Sequence, residues 1–247
     1  MALEIALMIV GALIVIVGAV SGVVSLWLIV KYFKYNRRQN SLGMTGMEIA
    51  RSILDANGLQ KIKVKRTGSL LFGNSYSHYF KKVRLRGLIR HEDSLTSIGM
   101  GAQKAALAIL DKEGDPDMKK RIRLVPLITF GPFMFIPLVL VGIVLDYFVF
   151  NGTGVCTLAL GALGLLFYVY SIVLSVLTLK TEKKAQNKAY EILSRDYHIT
   201  EEELSGLKEL FHLYNIQYVN DIILSSLELL YTVLEIALAV SGNGGKD

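Results

Sequence analysis

Hydrophobic positions gather into long runs along this chain, and the stretches between them show short-range periodicity. Three runs carry no charge: Ile5 to Val30, Leu124 to Leu145 and Val155 to Leu179. Each exceeds the roughly 20 residues a helix needs to cross the hydrocarbon layer, so each predicts a transmembrane helix. A fourth run, Tyr218 to Val240, is as long but contains Asp221, Glu228 and Glu235. Between the first two runs the pattern shortens. From Thr45 to Gly58, Ile49, Ile53 and Leu54 recur at helical spacing, Thr45 and Glu48 have capping-box spacing, and Asn57-Gly58 supplies a stop. Lys61-Ile62-Lys63-Val64-Lys65 and Val83-Arg84-Leu85-Arg86 alternate, which predicts two or three strands with turns at Thr67-Gly68 and Gly73-Asn74. A helix rich in small residues is expected from about Ser94 to Glu113, closed by Gly114. Asp115-Pro116-Asp117 and Lys119-Lys120-Arg121 form the polar approach to the second run. Thr181 to Arg195 predicts a helix leaving the bilayer, and Thr200 with Glu203 a second capping box before the last run.

These elements predict a mainly α fold: a four-helix transmembrane protein with a small cytoplasmic α+β domain. The expected order is span 1 over residues 1–31, the α+β domain over 32–123, span 2 over 124–150, an external turn at 151–154, span 3 over 155–179, cytoplasmic helices over 180–215, span 4 over 216–241 and a tail at 242–247. Composition agrees, since 52% hydrophobic residues and a mean hydropathy of +0.44 exclude an ordinary soluble domain. Charge sets the expected orientation. Residues 31–123 hold 20 Lys and Arg against 8 Asp and Glu, a local excess of +12 in a chain of net +6. Lys31, Lys34, Arg37 and Arg38 follow the first run directly, while 146–154 has no Lys or Arg. Positive charge stays inside, so 31–123 and 180–215 are expected to face the cytoplasm with both termini outside. Topology accounts for the basic balance without nucleic acid, and membrane lipid is an expected partner through anionic headgroups. The first run has neither a basic n-region nor an A-x-A site, which favours an uncleaved anchor over a cleaved peptide.

Candidate chemistry is sparse. The single cysteine, Cys156, lies inside the third run and has no partner for a disulfide or metal site. No two of His78, His91, His198 and His212 share i, i+3 or i, i+4 spacing, and His91-Glu92-Asp93 reads as a polar helix approach. Neither G-x-S-x-G nor a phosphate-binding glycine loop is present. Asn151-Gly152-Thr153 matches a glycosylation sequon but reads as a hairpin turn, and Gly18 with Gly22 forms a GxxxG of ordinary transmembrane composition. The acidic trio Asp221, Glu228 and Glu235 repeats every seven residues on one helix face. Two readings stay open: a polar seam against other spans or a partner, or a helix lying at the interface with its acids solvated.

Gly99-Met100-Gly101-Ala102-Gln103-Lys104-Ala105-Ala106-Leu107, continuing through Gly114 to Leu124-Val125-Pro126, resembles the active-site helix of the YugP-type neutral zinc metallopeptidases, which are HtpX-like membrane proteins. In that family the helix carries H-E-x-x-H, two imidazoles one turn apart gripping Zn²⁺ beside a general-base carboxylate. Aligned without gaps, Gln103 stands for the first His, Lys104 for the Glu and Leu107 for the second His. Met44 to Arg51 and Ile53 to Leu59 resemble the family's N-terminal cytoplasmic helix, and Val83-Arg84-Leu85 its strand before the active-site helix. The family's D-H-Y-D run becomes Asn74-Ser75-Tyr76-Ser77, keeping only the tyrosine. Thr178-Leu179 with Glu182, Ala185 and Ala189 resembles the segment supplying the third zinc ligand, and Glu201 to Leu204 with Tyr218-Val219 the last helix and span.

The resemblance implies a membrane zinc metallopeptidase scaffold, and the substitutions imply a catalytically inactive pseudoenzyme that binds or regulates a membrane-protein client or partner protease. No cofactor is then expected: zinc belongs to the family, but its ligands are missing here. The alternatives are an active peptidase with an atypical metal site and a structural subunit of a membrane complex, in an integral membrane protein of the bacterial plasma membrane. Glu182, in the third-ligand position, is expected to bond the Lys104 ammonium, or failing that Lys183 or Lys184, with Leu107 filling the second imidazole's space. The competing expectation is that Glu182 points to water.

Overall fold

The computed structural model describes residues 1–67, 73–125 and 134–243. Its elements are α1 (Ala2–Asn36), α2 (Gly46–Ala56), β1 (Lys63–Arg66), β2 (Ser75–Ser77), β3 (Lys82–Leu85), α3 (Gly87–His91), α4 (Leu95–Glu113), α5 (Pro116–Leu124), α6 (Phe135–Phe148), α7 (Val155–Arg195) and α8 (Glu201–Asn243). The chain divides into two compact units. One comprises Met1–Gly22, Arg123–Leu177 and Tyr218–Asp247; the other comprises Val23–Ile122 and Thr178–Gln217.

The first unit is built from apolar helix. By length and composition, α1, α7 and the Glu201–Ala239 stretch of α8 can each cross a membrane. Their large side chains, Val15, Leu158, Leu166 and Ile223 among them, point outward, as lipid permits and water does not. α6 is apolar but has 14 residues, short of the roughly 20 needed to cross. Residues 126–133, including Pro126 in the expected second span, lie outside the described residues, as do Gly68 of one expected turn and the end of the tail.

The α6–α7 connection is the expected hairpin turn, with Gly152 at φ 79° and Gly154 at φ 74°, where a side chain would be strained. The Asp146 side chain caps α7 from the preceding helix. Its carboxylate accepts from Cys156 N at 3.0 Å, Thr157 N at 2.7 Å, Thr157 Oγ1 at 2.6 Å and Thr153 Oγ1 at 3.3 Å. Those N–H groups open a helix and have no partner within it.

Thr181 to Arg195 is helical, as expected, and continues the third apolar run without a break: α7 runs 41 residues, and α8 runs 43. No proline falls within either, so nothing interrupts the backbone ladder between apolar run and polar segment.

The second unit packs around α4, whose residues are buried from Leu95 to Leu110. Ser94 caps its start by accepting from Ser97 N at 3.1 Å, and Gly114 ends it in the left-handed conformation at φ 74°. Small residues let neighbours approach closely: a Cβ on Gly101 would lie 2.4 Å from the Gly46 carbonyl oxygen on α2. Ile49, Ile53 and Leu54 of α2, Val83 and Leu85 of β3, Ala185 and Ala189 of α7, and Leu207 and Phe211 of α8 share its core. The Thr45–Glu48 and Thr200–Glu203 capping boxes both form. The sheet order is β1-β3-β2, with β1 parallel and β2 antiparallel to β3. β1 starts two residues later than the alternation predicts. Ile62 N bonds Leu59 O at 3.0 Å and the Arg51 guanidinium holds Ile62 O at 2.5 Å, which keeps Lys61-Ile62 in a turn.

Candidate functional site

Two elements converge on one carboxylate. Gln103 and Lys104 lie on the buried helix α4, and Glu182 lies on α7 one residue beyond the fully buried Thr181. Lys104 Nζ donates to Glu182 Oε2 at 2.7 Å, and Gln103 Nε2 donates to the same oxygen at 3.0 Å. The other oxygen, Oε1, is met by Arg121 Nη2 at 3.3 Å, while Arg121 Nη1 donates to Thr181 Oγ1 at 2.8 Å. The Lys104, Arg121 and Glu182 side chains are 9%, 16% and 17% exposed, so the group is shielded from water. Burial alone would raise the Glu182 pKa. The Lys104 and Arg121 charges outweigh it and hold the carboxyl below its ordinary value.

The expected Lys104–Glu182 pair is therefore present, and Glu182 does not point to water. Arg121 is an addition that spacing could not supply, since its partner lies 61 residues away. Lys184 is occupied elsewhere, with Asp115 at 2.6 Å and Asp117 at 2.8 Å, and Lys183 is exposed. Leu107 is fully buried among apolar neighbours of the core.

These residues do not fit a zinc ion. Catalytic zinc needs about three protein donors with free lone pairs, leaving the fourth position to water. Here Glu182 offers a carboxylate already bonded by two cations and an amide, beside an alkyl side chain at Leu107. Among the described residues no three His, Cys, Asp or Glu are grouped so as to hold a metal.

A second polar cluster on α4 escaped the sequence reading. Asp111, seven residues beyond Lys104, accepts from Tyr76 Oη at 2.5 Å and pairs with His78 Nδ1 at 2.6 Å through the same oxygen. Burial, then the Asp111 hydrogen bond and charge, push the Tyr76 phenol above its ordinary pKa. The one signal was the retained tyrosine of Asn74-Ser75-Tyr76-Ser77; nothing local linked it to a carboxylate 35 residues on.

The acidic trio lies on α8 with all three side chains exposed on the chain's surface, and Glu228 Oε2 accepts from Tyr168 Oη at 2.9 Å. A cavity of about 390 Å³ opens instead on α2 and β1, lined by Met47, Glu48, Arg51, Ser52, Asp55 and Val64. It includes none of the positions aligned with the zinc centre.

A family model described as "Putative neutral zinc metallopeptidase" matches residues 8–237. The "Putative membrane protease YugP" of Bacillus subtilis (strain 168) is 26% identical over 205 residues, covering 81% of this chain and 84% of that protein. No solved structure matches the chain. The match runs from the first apolar helix almost to the end of the last and takes in both α4 and Glu182, so this membrane protein belongs to the neutral zinc metallopeptidase family.

Proposed function

We propose that this member of the family has exchanged its metal centre for an ionic core and acts by binding, as a pseudopeptidase that holds a membrane-protein client or a partner protease. One observation carries the reading: the ammonium of Lys104, at the position aligned with the general base, sits 2.7 Å from the carboxylate aligned with the third zinc ligand. An ammonium cannot deprotonate a metal-bound water, and it repels a dication. Lys104 and Arg121 instead supply the positive charge that an isolated buried carboxylate would lack. The polypeptide thus keeps the packing of the site without its catalyst, and a scaffold so kept is free to bind.

Elemental analysis of chelator-washed protein, with a peptidase assay on casein, tests the first half. No stoichiometric zinc and no cleavage are expected; about one zinc per chain would establish an atypical metal site and overturn the reading. Photocrosslinking from Arg51 and Ser52, in the cleft on α2 and β1, tests the second half. A discrete membrane-protein adduct in native membranes supports client binding. Adducts confined to a fixed stoichiometric complex would make the chain a structural subunit.

A further inference from the structure

The outer face of the three-stranded sheet carries a charge pattern that the fold itself does not satisfy. Val64, Val83 and Tyr76 pair across the strands and turn toward the core. The alternate positions put Lys63 opposite Lys82 and Lys65 opposite Arg84, with Ser77 and Ser75 completing the rows on β2. Like charges directly opposite one another in a sheet are destabilising. Between residues 56 and 91 there are nine Lys and Arg and no Asp or Glu, so no local carboxylate offsets them. Among the described residues none of these four cations forms a salt bridge.

The turn between β2 and β3 adds two aromatic side chains to this face. Tyr79 is 56% and Phe80 68% exposed, and Lys82 Nζ lies over the Phe80 ring at 4.5 Å. Lys81, at φ 45°, completes the tight turn that projects them. The tip is also tethered: Tyr79 Oη donates to the Ile122 carbonyl at 3.0 Å. Ile122 precedes by two positions the apolar run that begins at Leu124. Exposed aromatics beside cations, held where the chain turns apolar, match the chemistry of the headgroup region, where amphipathic rings and basic residues both gain.

We propose that the sheet's outer face and the Tyr79-Phe80 tip form a docking surface for anionic phospholipid headgroups. The lipid phosphates neutralise the Lys63, Lys65, Lys82 and Arg84 rows, and the two rings enter the interface. An acidic protein would answer the charge, and a nucleic acid could also stack its bases on the rings, but neither gives a role to the tether to Ile122, two positions before the apolar run.

The test uses the full chain in nanodiscs. Trp27 is the only tryptophan, so Trp27→Phe with Phe80→Trp makes the tip a single reporter. Quenching by acrylamide is compared in discs of phosphatidylcholine alone and of phosphatidylcholine mixed equally with phosphatidylglycerol. Each engaged cation is worth about five-fold in surface occupancy, so the quenching constant should fall at least about two-fold in the anionic discs and recover at high salt. Equal quenching in the two discs, with helicity intact, overturns the proposal. Protection in neutral discs by an added oligonucleotide or by polyglutamate, matching that given by phosphatidylglycerol, also overturns it. Reversing Lys63, Lys65, Lys82 and Arg84 to Glu should abolish the lipid effect, and its persistence would exclude the sheet. If that variant fails to fold, the lipid and salt comparisons on the intact sheet still decide.

Discussion

Removing Lys104 should expose how the rebuilt site is held together. At 2.7 Å the Lys104–Glu182 attraction is about 6 kcal/mol for an effective dielectric of about 20, before desolvation of both groups is subtracted. Stranding a buried charge by deleting its partner costs about 3–5 kcal/mol. Lys104→Met leaves Glu182 with Arg121 at 3.3 Å and the Gln103 amide, so the loss should fall below that range, at about 2–3 kcal/mol. Glu182→Gln leaves two buried cations facing a neutral amide, and the full about 3–5 kcal/mol is expected. The double variant should cost less than the sum by about 0.5–3 kcal/mol. Unfolding of the full chain in mixed micelles at increasing dodecyl sulfate, followed by circular dichroism, measures all three. The Glu182 pKa is lowered on folding, so its contribution is complete above the ordinary carboxyl value of 4.5 and is lost as pH falls through the depressed folded value. Lys104→Met should flatten that acid-side loss. Additivity within about 0.3–0.5 kcal/mol, or an unchanged acid profile, would refute the coupling.

Gly101→Ala should destabilise by about 1–3 kcal/mol, because its Cβ would meet the Gly46 carbonyl at 2.4 Å and backbone cannot yield as a side chain can. Gly18→Ala, with nothing within 4 Å of its Cβ, should be neutral or stabilising in the same unfolding assay. Tyr76→Phe should cost about 1.5–3 kcal/mol, the worth of a hydrogen bond to a charged acceptor, unless the His78 contact to Asp111 compensates; combining it with His78→Ala separates the two. For topology, cysteine at Gly152 should label from outside intact cells and cysteine at Lys65 should not; external labelling at position 65 would reverse the assigned orientation.

Much of the local structure could be read from the chain because its causes lie within a few residues. The Thr45–Glu48 and Thr200–Glu203 boxes, the Ser94 cap and the Gly114 stop are backbone hydrogen-bond devices spanning three or four positions, and each formed where its residues stand. The long apolar runs likewise declare themselves, since the capacity to cross depends on length and composition, both read directly from the chain. The Lys104–Glu182 pair was anticipated, but through family resemblance, because no spacing rule joins residues 78 apart. Tertiary structure alone brought Arg121 and Gln103 to the same carboxylate, joined Tyr76 and His78 to Asp111, and used Asp146 to cap a helix that starts nine residues later. It also set β1 parallel to β3. The pairings at Glu182 and Asp111 depend on which faces meet when α4 is enclosed on every side. A buried charge must then accept whichever partners that enclosure brings within reach, and spacing over a few residues does not reveal them.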